Sequence, residues 1–138
     1  MKMRIRVATP SDYRWIVRVM GRKKIPYLTS SHVKDDYNWY RLYAVVDNKD
    51  RVLATFSLIA DDKYDYVAIK RLCVLNQKNR GKGIARFAIH EILKYLHNCK
   101  VGATPWEDNY AVRHILESEG FKMEYKFDGH WCFYSKEM

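Results

Sequence analysis

The residues best suited to chemistry in this chain are two glycines set among cations, Arg80-Gly81-Lys82-Gly83-Ile84-Ala85. Upstream, Tyr66 to Leu75 reads as a buried strand, because Val67, Ala68, Ile69, Leu72, Cys73, Val74 and Leu75 are apolar. Downstream, Ile84, Phe87, Ala88, Ile92, Tyr95 and Leu96 recur at helical spacing, with Glu91 the polar exception. The glycines therefore fall where a strand hands over to a helix N-terminus. Such a junction presents N–H groups without intrahelical partners and the positive end of a helix dipole. Glycine also lets the backbone approach a ligand with no Cβ in between. A phosphate or pyrophosphate is the group this arrangement holds best.

Three phosphate-binding patterns can be told apart here. A Walker loop needs G-x-x-x-x-G-K-[ST], but no Gly precedes Gly81 at that distance and Gly83 follows Lys82. A dinucleotide fingerprint needs G-x-G-x-x-G, and Arg86 stands at its last position. The third pattern fits. R-x-x-G-x-A, from Arg80 to Ala85, resembles the acetyl-CoA pyrophosphate motif of the GNAT superfamily of N-acetyltransferases, Q/R-x-x-G-x-G/A. If Gly81 and Gly83 are the two motif glycines, Lys78 takes the Gln/Arg place and keeps its positive charge.

The elements around the motif follow from local signals. Met3 to Ala8 alternates as a strand covered on one face, and Thr9-Pro10-Ser11-Asp12 is a helix start. Trp15, Ile16, Val19 and Met20 form a helical stripe that Gly21 ends. Gly21 to Ser31, with Pro26, reads as a loop, and a short helix over His32 to Tyr40 is expected to be capped by Ser30 or Ser31. Strands at Leu42 to Val46 and Val52 to Ile59 flank Asp47-Asn48-Lys49-Asp50. Beyond the motif come a short strand at Val101 to Thr104 and a helix from Asn109 to Glu119. Strands at Phe121 to Phe127 and His130 to Tyr134 then flank the hairpin turn Asp128-Gly129.

This order also resembles the GNAT fold, over essentially the whole chain. It implies an α/β (α+β) architecture, with a central mixed, mostly antiparallel sheet of six to seven strands flanked by about four helices. Asn109 with Gly120-Phe121 is similar to the family's N-x-x-A-x-x-x-Y-x-x-x-G-F signature, although Val112 stands at the Ala place and Leu116 at the Tyr place. The resemblance implies acetyl-CoA as co-substrate, a small-molecule or peptide amine as acceptor, and no metal. Carried onto this chain, the coenzyme site comprises Cys73, Val74 and Leu75 at the strand end. It continues through Lys78, Asn79, Arg80, Gly81, Lys82, Gly83, Ile84 and Ala85 in the loop, and takes in Asn109 beyond it.

Composition sets wider limits. The 138 residues, 48% of them hydrophobic, suit one domain spanning 1–138. No apolar run approaches the ~18 residues of a membrane span and no signal peptide is visible. Cys73, Cys99 and Cys132 lack metal spacing, so a reduced, cytoplasmic protein is expected; a monomer or homodimer is a separate expectation that the cysteines do not decide. The net charge of +9 is uneven, being +6 over residues 1–50, +5 over 51–99 and −2 over 100–138. Coenzyme A accounts for part of the middle surplus. Arg4, Arg6, Arg14, Arg18, Arg22, Lys23 and Lys24 raise nucleic acid as a partner, but their interleaving with apolar positions favours a solvated face.

Catalytic groups are harder to read. His90-Glu91 begins a zinc-protease pattern that Lys94 breaks, and the remaining His residues read as surface or satisfied groups. Cys73 reads as a small buried thiol rather than as a group facing a thioester. The heavy aromatic load reads mostly as core or sheet face, including Trp15, Tyr66, Tyr95 and Trp131. The resemblance implies that the segment after the first helix helps to wall the acceptor site, which makes Tyr27, Tyr37, Trp39 and Tyr40 candidates for substrate contact, with plain packing the alternative; Trp106 is similarly placed. The general acid implied by resemblance falls at Leu116, which cannot donate, and a Glu used by some members falls at Thr104. Tyr110 sits about 120° around the helix from Leu116. Arg113 lies nearer the Leu116 face, but a guanidinium holds its proton too tightly to serve; Glu107, Asp108, Asp65 and Tyr134 remain as alternatives, with none singled out. Deprotonating a lysine-like amine at pH 7 costs roughly 4–5 kcal/mol, and an α-amine about 1 kcal/mol, so the demand for a base depends on the acceptor. Two further readings stay open: an acyl-CoA-binding regulatory protein with little turnover, and a basic nucleic-acid-associated protein on the same scaffold.

Overall fold

A computed structural model describes residues 2–25 and 28–138, so Pro26 and Tyr27 lie outside the described residues. Its elements, in order, are β1 (Met3–Val7), α1 (Pro10–Arg22), α2 (Ser30–Asn38), β2 (Leu42–Asp47), β3 (Val52–Asp61) and β4 (Tyr66–Val74). There follow α3 (Ile84–Lys94), β5 (Lys100–Ala103), α4 (Tyr110–Ser118), β6 (Lys122–Phe127) and β7 (Trp131–Glu137). One seven-stranded sheet runs β1-β2-β3-β4-β5-β7-β6, and every pairing is antiparallel except β4 with β5. The expected order of elements matches throughout.

Each sheet face has its own core. Ile16, Val19 and Val33 of α1 and α2 pack with Leu42, Cys73 and Leu75 on one face. Ile84, Ala88, Ile89 and Leu116 of α3 and α4 pack with Phe56, Ile69, Val101 and Tyr134 on the other. The start of α1 is fixed by a capping box. The Thr9 hydroxyl accepts from the Asp12 amide at 3.1 Å and the Asp12 carboxylate accepts from the Thr9 amide at 3.0 Å. Arg6 of β1 donates to the same carboxylate at 2.9 and 2.7 Å. Burial alone would raise the Asp12 carboxyl, but the Arg6 and Thr9 bonds outweigh it and hold the group below its ordinary 3.8.

Several boundaries and placements differ from the sequence reading. The cap of α2 is Thr29, not Ser30 or Ser31, and its hydroxyl accepts from the His32 amide at 3.4 Å. Gly21 is the penultimate residue of α1 rather than its end. Trp15 is 40% exposed and Tyr95 77%, so neither is a core residue. The buried stripe of α1 is Asp12, Ile16 and Val19, which turns Trp15 outward, and Tyr95 follows the last turn of α3.

Two features of β4 position the site. First, its pairing with β5 stops at Ile69↔Ala103, yet β4 runs on to Val74. The chain after β5 is diverted toward β7: the Pro105 carbonyl accepts from the Cys132 amide at 3.0 Å, and Trp106 bridges to Trp131. The two parallel strands therefore splay apart. Second, Ser57 faces Lys70 and Thr55 faces Cys73, so Phe56 alone stands opposite Arg71 and Leu72. This is a β-bulge, with Arg71 at φ +55°. Asp36 of α2 anchors it, accepting from Ser57 Oγ at 2.6 Å and from Arg71 Nε and Nη2 at 2.9 and 2.6 Å.

Candidate active site

The loop after β4 is shaped by backbone conformation. Asn76 caps a single 3-10 turn over Gln77–Asn79, accepting from the Lys78 amide at 3.0 Å. Gly81 and Gly83 then adopt φ +77° and +78°, the left-handed region that glycine enters without strain. Gly83 is the N-cap of α3 and offers no side-chain cap, while its carbonyl accepts the Phe87 amide at 2.9 Å. The first-turn amides of α3 thus have no capping side chain. A Cβ built on either glycine would meet nothing within 4 Å, so the space in front of the loop is open. A cleft of about 520 Å³ lies there, lined by Leu72, Cys73 and Val74, by the loop, and by Asn109, Val112 and Ile115 at α4. Arg80 and Arg86 add positive charge along it, and Arg86 Nη1 donates to Ser118 Oγ at 2.6 Å, tying α3 to α4.

A second cavity, of about 280 Å³, occupies the splay between β4 and β5. It shares Leu72, Asn109 and Val112 with the first, so the two spaces meet at the gap in the sheet. Leu72 belongs to the face covered by α3 and α4. Lys70 belongs to the other face, because it stands opposite Ser57, whose hydroxyl reaches Asp36 of α2. The cavity therefore passes through the sheet, from His32, Lys70 and Arg71 on the α2 side to Leu116 and Ile89 on the other. Thr104, Trp106, Trp131 and Phe127 form its wall.

An elongated anionic co-substrate laid along α3 could reach, through this gap, an acceptor held on the opposite face. No family model and no curated protein matches the sequence. Solved structures do match in shape. A GNAT-family acetyltransferase from Streptococcus agalactiae superposes with TM-score 0.80 at 17% identity, over 99% of this chain and 95% of that one. The ribosomal-protein-S18-alanine N-acetyltransferase of Escherichia coli gives 0.75 at 13% identity, over 99% and 94%. Mutant forms of the spermidine/spermine N-acetyltransferase of Vibrio cholerae give 0.72 at 19% identity, over 99% and 95%. The chain has the GNAT fold.

Within this GNAT fold, nine of the residues named from sequence line the first cleft: Cys73, Val74, Asn79, Arg80, Gly81, Gly83, Ile84, Ala85 and Asn109. Leu75, Lys78 and Lys82 line a groove on the α1 side of the loop instead, with Trp15, Arg22 and Lys23. The alternation of the two left-handed glycines turns Lys82 away from the cleft, and Leu75 belongs to the α1/α2 core. Burial pushes the Cys73 thiol up to about 12, against the pull of Arg80 and Arg71, so it carries no thiolate at neutral pH.

The alternatives for proton transfer sort by position. Tyr134 is fully buried, and its hydroxyl donates to Glu117 at 2.7 Å while accepting from Arg113 Nε at 3.1 Å. That network lies on the β7 side of α4, and none of its three members lines either cavity. Glu107 is held below its ordinary range by His130 and Lys126 and also lies off the cavity lining, as does Asp108. Asp65 precedes Tyr66 at the opposite end of β4. Leu116 is buried in the cavity wall, and Thr104 faces the same cavity.

His32 was not legible as a site residue. It lines the gap from α2, and its Nδ1 lies 2.9 Å from Thr29 Oγ1. The only sequence signal is its place in the first turn of a helix after a Thr-Ser-Ser run. Of the aromatics expected at the acceptor wall, Trp106 lines the cavity, whereas Tyr37 stacks on Tyr13 at 4.2 Å and Trp39 and Tyr40 point outward, 70% and 81% exposed. Tyr27 lies outside the described residues.

Proposed function

We propose that the protein is an acyltransferase that moves the acetyl group of acetyl-CoA to a primary amine of a small molecule or peptide. The observation that carries this reading is the continuity of the two cavities through the β4–β5 gap, with a glycine-formed anion cradle at the end of the first. Acetyl-CoA supplies a thioester carbonyl that an amine attacks; the C–N bond forms, the C–S bond breaks, and the sulfur leaves as a thiolate.

The chain's own residues have three tasks. The amides from Gly81 to Arg86, with Arg80, hold the pyrophosphate by charge-assisted hydrogen bonds at the helix N-terminus. The splayed segment of β4 beside Leu72 and Val74 orients the pantetheine arm toward the gap. His32 takes the proton of the incoming ammonium. In the tautomer whose Nδ1–H donates to Thr29 Oγ1, Nε2 keeps the lone pair that this step needs. The departing thiolate is protonated by water, because Leu116 has no proton to give and the Tyr134 hydroxyl is committed to Glu117.

The test is acetyl-CoA-dependent release of thiol in the presence of a panel of amines, with mass spectrometry of the acetylated product. Turnover of at least one amine, reduced tenfold or more in His32→Ala, supports the reading. Tight acetyl-CoA binding without turnover of any amine favours the binding-protein reading, which the buried Leu116 at the usual acid position supports.

A further inference from the structure

The geometry points to an acceptor amine that carries an anionic group, a carboxylate above all, with Lys70 as the residue that receives it. This rests on the acetyl-transfer reading of the same cavity. Lys70 lines the gap on the α2 side, half-buried, and its side chain makes no hydrogen bond or ion pair among the described residues. Its neighbour Arg71 is different, since its guanidinium is bound by the buried Asp36 and their charges offset. Lys70 is therefore the uncompensated cation of the cavity.

The remaining walls sharpen the choice. Among the described residues, no Asp or Glu lines this cavity. Trp106, Trp131, Phe127 and Leu72 make most of its surface apolar, so an ammonium there is poorly solvated and gains from an anionic partner. A polyamine acceptor would bring a second cation beside Lys70 and find no carboxylate to balance it. The volume of about 280 Å³ is at the small end for ligand sites, which suits a compact acceptor such as an amino acid. With its carboxylate at Lys70 on the α2 face, such a molecule has its amine directed to the gap and to His32.

The experiment compares α-amino acids, each paired with its decarboxylated amine (leucine with isoamylamine, phenylalanine with phenethylamine, and so on through the standard set), together with spermidine. The wild type is expected to favour at least one amino acid over its paired amine by tenfold or more in kcat/KM, with spermidine a poor acceptor. Lys70→Met should erase that preference by lowering the amino-acid value alone, and Lys70→Arg should retain it. Independently of turnover, an N-acetyl amino acid should bind the CoA-loaded protein at least tenfold more tightly than its N-acetyl amine counterpart, in a Lys70-dependent way. Equal or inverted preference in the wild type, or a preference unchanged in Lys70→Met, overturns the proposal. Lys70-dependent binding of the N-acetyl amino acid without any acetylation upholds the anion site and overturns the acetyl-transfer reading instead.

Discussion

In the proposed reading, the coenzyme side of the site is made of backbone, and the acceptor side is made of side chains drawn from separate elements. On the first side, one contiguous stretch from Leu72 to Arg86 supplies a strand end, two left-handed glycines and an uncapped helix start. On the second, His32 comes from α2, Lys70 and Arg71 from a bulged strand, Thr104 to Trp106 from the exit of β5, and Trp131 from β7. The difference teaches where specificity resides. A backbone cradle accepts any chain whose residues permit its φ angles, so it can be common to proteins that act on different acceptors. A wall of side chains can change one residue at a time.

The sharpest way to separate the halves is through Asp36. Its side chain is 5% exposed and holds Arg71, Ser57 and the bulge together. Asp36→Ala leaves a half-buried guanidinium without its partner, and should lower stability by about 3 kcal/mol in urea unfolding. Under native conditions the variant should raise KM for the amine severalfold while calorimetric affinity for CoA stays within about twofold. Equal damage to both would show that the halves are not separable.

Gly83→Ala tests the opposite half. At φ +78° an alanine is strained by about 1–2 kcal/mol, which denaturant midpoints should report. CoA affinity should fall about tenfold as the loop relaxes, with KM for the amine, measured at saturating acetyl-CoA, little changed. A variant as stable as wild type and binding CoA as well would remove the argument for the cradle.

A smaller effect is expected at Asp12, which ties the start of α1 to Arg6 of β1. Its folded carboxyl lies below its ordinary 3.8, so its contribution is present above that value and is lost as pH falls through the folded pKa. Asp12→Asn should therefore cost about 1 kcal/mol at neutral pH, and the gap from wild type should close on acidification below 3.8. Unfolding curves at neutral and acid pH measure this directly.

The same division explains what was legible beforehand. Element order, the capping box at Thr9 and Asp12, the Asp128-Gly129 hairpin and the glycine loop all depend on neighbours in sequence, and all can be read there. The shift of Lys82 to the far side of the loop depends on the φ of the glycines beside it, which a motif does not display. His32 and Lys70 escape a sequence reading because the docking of α2 on the bulged β4 through Asp36 brings them to one cavity from 38 residues apart. Tyr134 looked available as an acid, but Glu117 and Arg113, which hold its hydroxyl, come from a helix packed on the strand. Trp15 looked like core because periodicity identifies a helical stripe more readily than its edges.

The most direct test of the central claim is calorimetric titration with CoA and with pantetheine, which lacks the pyrophosphate and the nucleotide. If the loop from Asn79 to Ala85 is an anion cradle, CoA binds at least a hundredfold more tightly than pantetheine, and inorganic pyrophosphate competes with it. Equal affinity for the two, with no competition from pyrophosphate, would place the ligand elsewhere and contradict the account.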